Sequence, residues 1–122
     1  MKVLLGVGGS PDSMSALSQV VDRAAAVGDE LTVAILENPA TDASKAELAA
    51  RVRREVEKAG VDATIRTVSG DPGSRLVEIA ETEDFDVVAL GGGEQTPMGK
   101  ISVGQIAEFV VLNARVSVFL VR

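Results

Sequence analysis

Short apolar runs alternate with stretches of helical periodicity from one end of the chain to the other, and this alternation constrains the fold more than any single motif. Val3 to Val7 (VLLGV) is a strand-type run, followed by the turn signal GGSPDS. From Asp12 to about Val27 the apolar residues Met14, Leu17, Val20, Val21 and Ala24 recur at helical spacing, and Gly28 ends that helix. LTVAILE (Leu31 to Glu37) gives a second strand, closed by Asn38 and Pro39. Ser44 and Glu47 have the spacing of a capping box and open a helix to about Ala59, closed by Gly60. Asp62 to Ser69 alternates polar and apolar residues, as an exposed strand would. Asp71 and Pro72 supply an N-cap and first-turn proline for a helix to about Asp84. Asp86 to Gly91 (DVVALG) is nearly all apolar, the mark of a parallel strand buried on both faces. A glycine-rich loop, a helix from about Val103 to Asn113 and a last strand, Val116 to Val121, complete the pattern. The order β-α-β-α-β-α-β-α-β predicts an α/β fold: a doubly wound, Rossmann-like parallel sheet with helices on both faces.

The whole chain of 122 residues reads as one domain, with no internal repeat or low-complexity tract. No apolar stretch is long enough to span a bilayer, and MKVLLGVGG is broken by glycine too soon for a signal peptide. A cytoplasmic location is expected. The chain has no cysteine and no histidine, which removes disulfides, thiolate and imidazole metal ligands, and an imidazole base. With three phenylalanines as its only aromatics and a net charge of −6, the chain is poorly suited to nucleic acid or anionic membranes. Small molecules and proteins remain as partners.

In a doubly wound sheet, ligands sit beyond the carboxyl ends of the strands where the strand order reverses. The glycine-rich loops after the first and fourth strands are the candidates to flank that crevice. Neither carries a complete phosphate motif. Gly99-Lys100 matches the end of a P-loop, but Glu94 stands at its first glycine and Ile101 at its hydroxyl. Gly6-Val7-Gly8-Gly9-Ser10-Pro11 ends in proline where a dinucleotide fingerprint needs glycine. GGSPDS (residues 8 to 13) shares Gly9 and the Asp-Ser ending with the S-G-G-x-D-S loop of ATP-pyrophosphatase-like enzymes, a third-ranked alternative.

A better match runs along the whole chain. MKVLLGVGGSPDSMSAL resembles the opening of the universal stress protein family, where a strand ends in V-D-G-S before a helix. Gly70-Asp71-Pro72 resembles that family's G-D-P turn, DVVALGG its fourth strand and ARVSVFLVR its closing strand. The resemblance implies a five-stranded sheet of order 3-2-1-4-5, frequent dimerisation through the last strand and, in many members, ATP or AMP at the ends of strands one and four. The nucleotide-site equivalents here are Gly8, Gly9, Ser10, Gly91, Glu94, Gly104 and Gln105. Gly9, Ser10, Gly91 and Gly104 keep the scaffold, whereas Gly8 replaces the aspartate, Glu94 a glycine and Gln105 a hydroxyl residue.

These changes have physical consequences. A carboxylate about 5 Å from a phosphate charge costs roughly 3 kcal/mol per charge pair at an effective dielectric near 20. Ser102 and Gln105 have capping-box spacing, which would tie up the donors of the last helix. Weak or absent ATP binding is therefore expected, no cofactor is required, and ATP or AMP with magnesium is the alternative. Lys100 and the acids and arginines of the helices read as solvated, Asp12 and Ser13 as first-turn residues, and Asp71 as a cap. No residue stands out as catalytic. The last strand (Val116, Val118, Phe119, Leu120 and Val121) would leave an apolar sheet edge, which a two-fold homodimer would cover.

Overall fold

The computed structural model describes residues 1–37, 44–95, 101–102 and 104–122; of residues 94, 95, 101 and 102 only the backbone is described. The strands are β1 (Lys2–Val7), β2 (Glu30–Ile35), β3 (Ala63–Thr67), β4 (Val87–Gly91), β5 (Glu94–Gln95), β6 (Ile101–Ser102) and β7 (Ser117–Val121). The helices are α1 (Pro11–Val27), α2 (Lys45–Lys58), α3 (Pro72–Thr82) and α4 (Gln105–Asn113).

Five strands form a parallel sheet in the order β3-β2-β1-β4-β7. This is the 3-2-1-4-5 order with β7 as the fifth strand, so the order reverses between β1 and β4. Burial follows position: β4 is buried at all five residues, and the edge strand β3 at none. Along β1 the side chains divide between two cores, as period-two alternation requires. Val3, Leu5 and Val7 pack with α1 and α2, while Leu4 packs with α3 and α4.

The helix ends are set by local chemistry. Gly28 closes α1 with a left-handed φ of 76°, and its N–H donates to Ala24 O. The Ser44 Oγ caps α2 by accepting from Glu47 N–H, and Asp71 Oδ2 caps α3 by accepting from Ser74 N–H at 3.0 Å.

Two expectations fail beyond β4. The glycine-rich loop contains a short antiparallel pair, β5 with β6, in which Glu94 is partnered by Ser102. Ser102 therefore does not open the last helix: α4 begins at Gln105, its N-cap is Gly104, and that cap makes no side-chain hydrogen bond. The Ser102–Gln105 capping box is absent because strand pairing claims Ser102, and two more residues pass before the helix starts.

Candidate functional site: a crevice at the strand-order reversal

The carboxyl ends of β1 and β4 and the N-termini of α1, α3 and α4 surround a crevice of about 660 Å³. Gly8, Ser10, Gly91, Gly104 and Gln105 all line it, so most of the family-equivalent positions do converge. Gly9 lies in the β1–α1 turn, where its φ of 85° is one that only glycine adopts freely. The Glu94 carboxylate and the whole of Lys100 lie outside what the structure describes.

The β1–α1 turn satisfies its own polar groups. Ser10 is the N-cap of α1, and its Oγ accepts from Ser13 N–H at 3.4 Å. Ser13 Oγ accepts from Gly9 N–H at 3.1 Å and donates to Ser10 O at 3.0 Å. Ser10 Oγ also donates to Asp12 Oδ1 at 2.5 Å. The other oxygen of that carboxylate, Oδ2, accepts from Gly93 N–H at 3.0 Å, 81 residues along the chain. Asp12 thus joins the loop after β1 to the loop after β4, and it lines the crevice.

Glycine is required where the two loops meet. A Cβ at Gly91 would lie 2.8 Å from the main-chain carbon of Asp12. At Gly6, on the floor, a Cβ would lie 2.8 Å from Leu76 Cδ1 and 2.9 Å from Leu90 Cδ2. Gly104 differs: nothing lies within 4 Å of a Cβ placed there.

Sequence reasoning missed the opposite wall. Leu36, Asp71, Pro72, Gly73 and Phe109 also line the crevice, and Phe109 packs over Gly73. Asp71 is both the cap of α3 and a crevice wall; the Ser74 N–H hydrogen bond holds its carboxyl below the ordinary aspartate range. A proline and glycine at a helix start beyond β3 were the available signal, since that turn also lies at the carboxyl end of the sheet.

Among the described residues, the lining carries two carboxylates, Asp12 and Asp71, and no lysine or arginine. One anion-attracting feature is the start of α4, where Gly104 offers no side chain to satisfy the first N–H groups.

Sheet order and crevice together define a doubly wound α/β protein with a candidate ligand crevice at the strand-order reversal. The family model described as universal stress protein family matches residues 1–122, and the chain belongs to that family. A universal stress protein of Methanocaldococcus jannaschii is 31% identical over 59% of this chain and 42% of its own length. A second from the same organism is 28% identical over 71% of this chain and 53% of its own length. The chain therefore spans about half, or less, of the curated relatives it matches. The crystal structure of a universal stress protein in complex with cAMP superposes with a TM-score of 0.74 at 26% identity, covering 100% of this chain and 96% of the other.

Proposed function

We propose that this chain is a non-enzymatic, cytoplasmic binding module of the universal stress type that serves stress response or regulation as a homodimer. Its crevice takes a small ligand of low negative charge and binds Mg·ATP weakly or not at all. The observation that carries this reading is the crevice lining: among the described residues, two carboxylates, no basic side chain, and one helix start without a side-chain cap. A triphosphate would bring several negative charges against Asp12 and Asp71, with no lysine or arginine among the described lining residues to balance them. At about 5 Å each such pair costs roughly 3 kcal/mol at an effective dielectric near 20.

The position of β7 at the sheet edge, with Phe119 and Leu120 more than a third exposed, supports dimerisation through it. An unpaired apolar edge is an association surface, and a second copy covers it by two-fold symmetry.

A second reading, an adenine-nucleotide-responsive regulator, draws on the uncapped start of α4 and on the likeness to a protein solved with cAMP. A cyclic nucleotide carries a single negative charge, which one helix N-terminus can meet. Calorimetric titration with adenosine, cAMP, AMP and Mg·ATP tests both. Affinity that falls as ligand charge rises is expected. Micromolar binding of Mg·ATP overturns the preferred reading and leaves the second.

A further inference from the structure

We infer that Asp12 is the charge-selecting residue of the crevice: its carboxylate occupies, from within the chain, a backbone donor that a bound anion would otherwise use. This inference rests on the crevice being a ligand site, as proposed above, and adds which residue sets the class of ligand.

The argument begins with the loop after β4. Gly91 lets this backbone pass close to the first turn of α1, where a Cβ would strike Asp12, and Gly92 lets it pass close to Val121 and Arg122 at the end of β7. A glycine loop this close to a helix start is a place where N–H groups can meet an anion. Of those N–H groups, Gly92 donates to Val121 O at 2.7 Å, which completes the β4–β7 edge. Gly93 has a φ of 89° and donates to Asp12 Oδ2 at 3.0 Å. The loop's second donor is thus held by a carboxylate, an anion carried by the protein itself.

Asp12 is fixed in that position from both sides. Ser10 Oγ donates to its Oδ1 at 2.5 Å, and the first turn of α1 favours an acid. A charge-assisted bond of this kind is stronger than one between neutral groups. An incoming phosphate would have to displace a pre-placed carboxylate or sit beside it. Both cost more as ligand charge increases, whereas an uncharged nucleoside meets neither penalty. Asp12 therefore selects by charge, without touching the ligand's base or sugar.

The test compares the unaltered protein with Asp12→Asn, titrated with adenosine, AMP, ATP and inorganic tripolyphosphate. Asparagine keeps an oxygen to accept from Gly93 N–H but removes the charge, so the loop remains tied. AMP is expected to bind about tenfold more tightly to Asp12→Asn, and ATP and tripolyphosphate by larger factors, up to about a hundredfold. Adenosine affinity is expected to stay within about twofold. A role confined to tying the two loops would move all four probes alike, and that result overturns the inference. So does normal adenosine or AMP binding with no gain for ATP. If the unaltered protein already binds Mg·ATP at micromolar concentration and Asp12→Asn binds it more tightly still, Asp12 keeps its role while the preferred function falls. If no probe binds either protein, both fall.

Discussion

Gly91 and Asp12 are in near contact: a Cβ built on Gly91 would stand 2.8 Å from both the main-chain carbon and the Oδ2 of Asp12. Ser13 N would be equally close. Two of these three atoms are backbone at the start of a packed helix, so they cannot turn aside as a side chain would. The end of β4 and the start of α1 are therefore spaced for glycine alone. Gly91→Ala is expected to destabilise the protein by about 1–3 kcal/mol, as overpacking does, read from the midpoint of urea unfolding. An unchanged midpoint would mean that the two loops are not held this closely in solution.

Gly104 predicts the opposite sign. Its φ of −65° and ψ of 158° suit an N-cap serine, and space is open there. Gly104→Ser should stabilise α4 by a few tenths of a kcal/mol. Its hydroxyl would accept from the N–H groups the crevice offers to an anion, so AMP or cAMP binding should weaken. Thermal melting and calorimetry on the same variant check both halves.

Acid should weaken the fold through a small set of carboxylates. Ser74 N–H hydrogen bonding lowers Asp71, and the Arg66 hydrogen bond lowers Glu83. Burial works to raise Asp29, but hydrogen bonds from Arg23 and the terminal ammonium more than offset it. Each folded value lies below the ordinary one, so the stabilisation is present above the ordinary carboxylate range. It is lost as pH falls through that range, about 4, towards the folded values. Asp71→Asn retains the cap but cannot titrate, so its stability should decline less steeply between about pH 5 and pH 2. Parallel slopes for the two proteins in acid unfolding would remove Asp71 from the set.

The sheet core and the exposed face of α4 should respond very differently to the same truncation. Leu5 is fully buried at the centre of the sheet, whereas Leu112 is 74% exposed. Leu5→Ala should cost about 2–5 kcal/mol, and Leu112→Ala within about 0.5 kcal/mol. Denaturant midpoints of the two variants decide the matter.

Phe119 offers a direct test of the sheet edge. It is 39% exposed on β7, with the Arg23 guanidinium 6.0 Å from its ring centre. Phe119→Glu should shift sedimentation from dimer to monomer at micromolar concentration, with secondary structure unchanged. A protein that is monomeric at all concentrations before the substitution would rule out the β7 dimer.

Several elements could be read from the residues because their signals are local. Gly28 and Gly60 end helices through positive φ, and Ser44 and Asp71 begin them through an oxygen three residues ahead of an N–H. The unbroken apolar run of β4 announced its central place in the sheet, and the alternation in β3 its edge. The misread segment was Ser102 to Gln105. Its capping-box spacing is a local pattern, but pairing with Glu94 is a longer-range event, and the pairing prevailed.

The chain's periodicity and punctuation by themselves determined the order of strands and helices, hence a doubly wound sheet, because both depend on neighbours within a few residues. Tertiary structure alone decided what faces the crevice. It brought Asp12 to Gly93, 81 residues away, left the start of α4 uncapped, and added Asp71, Pro72 and Phe109 as the opposite wall. Those contacts depend on how closely separate loops approach in space, a distance set by glycines and packed helices that no sequence spacing encodes.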